Sequence, residues 1–446
     1  MPVRSHLLLP LASCLLISCG GSSGDGPTTG FGSTNNLDNS FSSDGKVTTP
    51  FTGGNNAIGS GDANAVSLQS DGKIVVAGAI NQDFGIVRYK SDGSIDNSFG
   101  LSGNGIVTTN WSVNLNSQAD SIAAMVQDST GRFVVAGYSQ VSGNFRFSVA
   151  RYLSDGTPDH DFGFVGSATL QPESGADSSV NAITVQPSSP GATDGKVVLG
   201  GFSGVGGDTN KFALARFNTT GTIDTGFGTL GSSVFDLGGN DAIYALGVQT
   251  NGLILAAGVS THTCVLARFH ADGSQFDSSF GSTQTRINSL AGTVVVPFGG
   301  SDDCQLRSIA VQDDGKVVVA GYTITTTTSG TTSKFALARY DATGVLDGAF
   351  GVNGIATVDM GSNAEANAMA VQADGKFVLA GTAGGNFALV RFNANGMLDT
   401  SFASDGKSLA DFGSGDVAKA VAIQPNGNIV AAGSSGNQFA VARYKP

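Results

Sequence analysis

From about residue 37 onward, short apolar runs alternate with turn clusters, and neither a helical period nor a long apolar stretch appears. Asp71-Gly72-Lys73-Ile74-Val75-Val76-Ala77-Gly78 is one such run. Counterparts start at Thr130, Asp194, Asn251, Asp314, Asp374 and Asn426. Each follows a Gln column: Gln69, Gln127, Gln186, Gln249, Gln312, Gln372 and Gln424. Each is followed by a strand like Phe335-Ala336-Leu337-Ala338-Arg339-Tyr340. Its arginines are Arg88, Arg151, Arg216, Arg268, Arg339, Arg391 and Arg443. A Leu-Asp-x-Ser-Phe-Gly-like turn also recurs, with Asp38, Asp96, Asp159, Asp224, Asp277, Asp347 and Asp399. Sevenfold recurrence in four columns marks a repeat architecture.

Each unit reads as four strands, like residues 45–49, 63–68, 73–78 and 84–89, with an Asp-Gly or Asn-Gly hairpin before the third. Four antiparallel strands every fifty to seventy residues predict a propeller blade. The expected fold is therefore all-β: one seven-bladed propeller over 37–446. The units run about 37–89, 95–152, 158–217, 223–269, 276–340, 346–392 and 398–444. The array starts with a turn and a first strand, and it ends on a Phe-Ala-Leu-Ala-Arg-Tyr strand. The N-terminal strand is expected to complete the last blade and close the ring, leaving no edge exposed.

Abundant Gly (65 of 446 residues) suits this many turns. The net charge of −12 lacks the basic surface that a phosphate backbone needs, so no nucleic-acid partner is expected. Membrane attachment should come only from an anchor. Arg4 and the apolar stretch 7–18 form a leader too short to span a bilayer, ending in Leu16-Ile17-Ser18-Cys19. This pattern resembles a bacterial lipobox and points to lipidation at Cys19. Cys14 is an alternative acylation site, and plain secretion an alternative fate. Residues 19–36 read as a Gly/Ser-rich linker, reaching roughly 20–25 Å as a coil. The expected location is the cell envelope, on the outer membrane or cell surface.

The repeated columns resemble the bacterial delta-60 repeat family, found in secreted and surface proteins, over residues 37–444. That resemblance implies the propeller fold and export, and it carries no catalytic residues to transfer. Pro158-Asp159-His160-Asp161-Phe162 and Cys264 depart from the pattern.

The Arg and Asp columns read as a structural brace, because an active site is normally built once. No metal site is expected. Calcium is the candidate that the Asp-rich turns suggest, but they lack the ligand spacing of a calcium loop. His160, His262 and His270 read as surface or turn residues, and the single Trp111 excludes a tryptophan-ringed propeller. Cys264 and Cys304 fall on one end of adjacent units, where a disulfide and two separate thiols are both open. That end also carries irregular connections: 53–62, 140–144, 172–177, 204–210, 297–303 and 323–333. The other end carries the uniform turns. No catalytic residue stands out, with Glu173 and Glu365 the only glutamates. The expected function is a monomeric, membrane-anchored scaffold binding a protein or glycan on the irregular face. The alternatives are a carbohydrate-active enzyme with a site in the central funnel, and a purely structural envelope component.

Overall fold

In the computed structural model, the structure describes residues 36–52, 59–110, 120–187, 195–205, 210–298, 303–328, 330–413 and 415–446. The leader, Cys19, the linker and Trp111 lie outside the described residues, as do parts of four irregular connections. No helix among the described residues is long and apolar enough to cross a membrane.

The chain forms seven four-stranded antiparallel sheets. After β1 (Lys46–Thr49), blade I comprises β2 (Gly61–Leu68), β3 (Ile74–Ile80), β4 (Asp83–Tyr89) and β5 (Ile106–Thr109). Blades II to VI repeat this order, beginning at β6 (Ser121–Gln127), β10 (Asp177–Pro187), β14 (Asp241–Val248), β18 (Asp303–Val311) and β22 (Ala364–Val371). These first strands pack side by side as the innermost layer, β2 against β6 and so on around to β26 (Asp416–Ile423) and back to β2. Each blade's fourth strand is outermost.

Blade VII takes β26, β27 (Ile429–Ser435) and β28 (Gln438–Tyr444), and its outer strand is β1. Lys46, Val47, Thr48 and Thr49 pair with Ala442, Val441, Ala440 and Phe439. The two ends of the chain thus close the ring. Each blade cuts across two sequence units, because a unit's first strand belongs to the blade before it.

The third strand of a blade is buried on both faces, as the pattern along Asp83–Tyr89 shows. Both faces touch a neighbouring blade, so apolar residues run continuously instead of alternating. One core cluster, for example, joins Val430, Phe439 and Val441 of blade VII to Ile74, Val76 and Val87 of blade I. For the same reason Arg88 is fully packed at 5 % exposure, where alternation alone predicts a half-buried stem.

Two of the expected irregular loops are regular hairpins. Residues 140–144 hold a two-residue turn at Ser142-Gly143, both with positive φ, between Phe133–Val141 and Asn144–Tyr152. Residues 323–333 extend β19 (Val317–Thr327) and β20 (Gly330–Tyr340), with Thr325 opposite Thr332 and Thr326 opposite Thr331. The β-branched threonines continue the ladder beyond the sheet body.

Candidate functional site

The two ends of the ring have different chemistry. The uniform end carries the Asp-Gly hairpins and the Leu-Asp-x-Ser-Phe-Gly turns, and there the Arg and Asp columns meet. Arg88 Nε lies 2.9 Å from Asp96 Oδ2. The same guanidinium donates to Ser154 O of blade II at 2.9 Å, to Gln69 Oε1 and to Ser98 Oγ. It also stacks 4.6 Å over the Phe99 ring. Arg151, Arg216, Arg268, Arg339, Arg391 and Arg443 pair with Asp159, Asp224, Asp277, Asp347, Asp399 and Asp38 at 2.6–2.9 Å. Each stacks on the Phe of its turn, from Phe162 round to Phe41. Arg151, Arg216, Arg268 and Arg339 also reach a carbonyl in the next blade: Thr219, Ala271, Ala342 and Ala394. Arg443 reaches Ser91 in the same way. The motif is a latch between blades.

Burial opposes ionisation of these carboxylates, but hydrogen bonds from the turn and the neighbouring Arg and Lys charges outweigh it. Asp38, Asp96, Asp224, Asp277 and Asp347 sit below the ordinary carboxylate pKa, and Asp399 falls to about 2. The Gln column supports the latch through Gln69, Gln186 and Gln249, which accept from the arginines. Gln127 is one residue out of register. Asp128 takes the turn position, bonding Arg132 as Gln69 bonds Lys73, while Gln127 donates to Gly131 O.

The irregular end has unrepeated chemistry on the innermost strands. Each of these strands carries a β-bulge that leaves one residue out of the ladder: Asn64, Ala123, Asn181, Tyr244, Arg307, Asn367 and Lys419. Bulges re-aim side chains and recur beside functional sites. Asn64, Asn181 and Asn367 donate to Ile122, Ile243 and Ala418 carbonyls in the following blade, a structural stitch. Lys419 closes the stitch between blades VII and I by pairing with Asp62 at 2.6 Å and reaching Asn64 Oδ1. Arg307 differs. Its guanidinium lies 4.1 Å over the Tyr244 ring of blade IV and adjoins the Tyr322 hydroxyl of its own blade. Burial pushes the Tyr322 hydroxyl pKa up, with Glu365 adding to the rise and Arg307 opposing it.

None of these bulge residues stood out in the sequence. The signal that finds them is a fixed offset: Asn64, Asn181, Tyr244, Arg307, Asn367 and Lys419 each precede a Gln of the Gln column by five positions.

Cys264 and Cys304 are disulfide-bonded across the boundary of blades IV and V, with Cα atoms 5.8 Å apart. Both are buried. His262 is exposed and pairs with Asp303 at 2.8 Å. Among the described residues no group of three or more His, Cys, Asp or Glu is placed to hold a metal ion. The connection 172–177 is pinned, with Glu173 paired to Lys211 and the Asp177 carboxylate accepting from Phe145 N.

Six segments match a domain family of unknown function described as a β-propeller (DUF5122): 69–99, 129–162, 192–227, 312–350, 372–402 and 424–446. The unmatched unit is the one in which Cys264 replaces the strand Phe and Asp277 follows Arg268 by nine residues instead of eight. No curated protein matches the chain. Among solved structures, a polysaccharide lyase, ulvan lyase, aligns over 86 % of this chain and 93 % of its own, at 10 % identity and TM-score 0.52. The same type of enzyme bound to -[GlcA(1-4)Rha3S]- aligns at 11 % identity and TM-score 0.51, with the same coverage. The WD40 propeller domain of Doa1 aligns over 89 % of this chain and 96 % of its own, at 14 % identity and TM-score 0.47. Identities this low show a shared fold alone.

Proposed function

We propose that this protein is an extracytoplasmic binding scaffold, tethered through Cys19, that takes a protein or glycan partner on the irregular end of its propeller. The observation that carries this reading is the contrast between the ends. The uniform end is built on seven copies of one latch, whose Arg, Asp and Phe are the same in every blade. The irregular end holds residues that occur once, such as Tyr244, Arg307 and Lys419, and discrimination needs groups that differ. The tether geometry supports it. Asn36, where the described residues begin, is bonded to Lys445 O on the uniform end, so the irregular end is clear of the point at which the linker joins the propeller.

A catalytic reading would draw on the same phenols and carboxylates. Burial raises the Tyr322 hydroxyl pKa, which keeps that phenol protonated at neutral pH and disfavours it as a base.

The test is capture of a partner from cell envelope by the mature chain, followed by loop replacement. Exchanging 172–177 and 297–303 for Gly-Asn connectors that keep the buried Ala176 and Phe298 and the bonded Asp177 and Asp303 should weaken binding and leave the melting temperature nearly unchanged. Binding that survives both exchanges but is lost when the Asp-Gly turns are changed would put the partner on the other end. For the tether, Cys19→Ala should move the protein out of the membrane fraction. An unacylated wild-type N-terminus by intact mass would refute the anchor.

A further inference from the structure

We infer that the inner edge of blades IV and V binds a carboxylate of an acidic glycan, with Arg307 as the anion-binding residue. This deepens the scaffold reading and rests on the irregular end being the binding end.

The argument starts from charge balance. All seven latch arginines are neutralised by an aspartate at 2.6–2.9 Å. Arg307 is the contrast: it has no carboxylate at ion-pairing distance among the described residues, and its Nε makes no hydrogen bond. Removing a guanidinium from water without a counter-charge is costly, so an anion brought against it gains more than it would at an exposed arginine. Tyr244 covers one face of the group at 4.1 Å. The Tyr322 hydroxyl adjoins it as well, so its neighbours are phenols, and a carboxylate is the charge-complementary partner that a guanidinium hydrogen-bonds best. Arg307 also stands where three other blades place an Asn that stitches to its neighbour, and it makes no such stitch.

The surroundings select a sugar acid over a peptide. Arg307 is half-buried on the innermost layer, and so is Gln305 of the same strand, an amide suited to hydroxyl groups. Among the described residues most of the large exposed apolar side chains that would anchor a peptide, such as Leu101, Phe164, Leu230 and Val352, lie on turns of the uniform end, and Val205 is the one on an irregular connection. With a net charge of −12 on the chain, attraction for a polyanion has to come from this local contact.

The experiment titrates the full mature chain by calorimetry with an oligogalacturonate, a neutral galactose oligosaccharide of equal length, acetate, and a short peptide with a free C-terminus. The oligogalacturonate should bind and the neutral oligosaccharide should not. Arg307→Gln should weaken binding at least about tenfold, as loss of a charge-assisted hydrogen-bonded contact implies, and should not lower the melting temperature. Tyr322→Phe, which keeps the ring, should also weaken binding, and it serves if Arg307→Gln fails to fold. The assignment is overturned if no oligogalacturonate binds, or if Arg307→Gln binds it equally. It is also overturned if acetate competes as well at equal carboxylate concentration, or if the peptide binds where the sugar acid does not. A melting temperature that falls in Arg307→Gln as far as in a latch variant would make Arg307 a brace. Partner capture that depends on 172–177 and 297–303 while ignoring Arg307 would sink this inference alone. Loss of dependence on both would sink the scaffold reading with it.

Discussion

Each latch arginine is held at its blade boundary by a carboxylate that has to stay ionised. Arg391 is 5 % exposed, its Nε is 2.8 Å from Asp399 Oδ2, and its guanidinium lies over Phe402. Desolvation pushes the Asp399 pKa up, but hydrogen bonds from Ser401 and Lys376 and the charge of Arg391 push it further down, to about 2. A carboxylate whose folded pKa is depressed adds stability above its unfolded pKa, and that stability is lost as pH falls through the folded value. The latch at Asp399 should therefore hold at pH 5 and weaken between about pH 4 and pH 2. Asp38, Asp96, Asp224, Asp277 and Asp347 shift in the same direction, so the ring should soften cooperatively in that window. In Asp399→Asn the Arg391 charge is left without its counter-charge, at a cost of about 3–5 kcal/mol near neutral pH. Denaturant unfolding should show that gap closing as pH approaches 2. A gap independent of pH would mean that the ion pair is not what holds Arg391.

At the scale of strands, the innermost bulge explains a glycine column that the sequence displays without its reason. The glycine ending each Val-Val-x-Ala-Gly run lies under the carbonyl two residues before the bulge. A Cβ on Gly321 would meet Gln305 O at 1.8 Å, and one on Gly78 would meet Asp62 O at 2.0 Å. Both contacts are with backbone, so relief requires the bulge itself to move. Gly321→Ala should thus lower the melting temperature clearly and displace Arg307, which sits in that bulge, whereas alanine at Gly348, where a Cβ meets nothing, should be nearly silent. Equal effects at the two positions would remove the bulge from the explanation. The strands themselves were legible because hairpin glycines and apolar runs recur in phase. Three things were not. Burial of Arg88 depends on both faces of β4 meeting neighbours, which a single strand's pattern does not show. The threonine-rich 323–333 segment reads as a polar loop until its cross-strand pairs are seen. Arg307 occupies a column whose other members vary, and in a repeat protein the eye follows the columns that do not.

For the molecule as a whole, closure decides whether seven marginal sheets act as one body. Blade VII has its outer strand from the far end of the chain, and the same segment supplies more than a strand. Asp38 pairs with Arg443 at 2.8 Å, Ser40 bonds the same guanidinium, and Phe41 stacks beneath it. Leu37 bridges to Tyr444, and Thr49 bonds the buried Tyr89 hydroxyl of blade I at 2.6 Å. The N-terminal segment therefore ties blade VII to itself and to blade I, while every other boundary is tied by residues closer in sequence. Removing 37–49 strips one blade of its edge strand, its latch and its stacking partner together. It leaves Arg443 buried without a carboxylate and exposes the Phe439–Ala442 edge to pairing with another chain. The truncated protein should melt well below the parent and associate in a concentration-dependent way. Asp38→Asn, which spares the strand, should lower stability without association, which separates the latch from the edge. A truncated ring that melts like the parent and stays monomeric on a sizing column would show that the seven blades hold without the strand that joins the two ends.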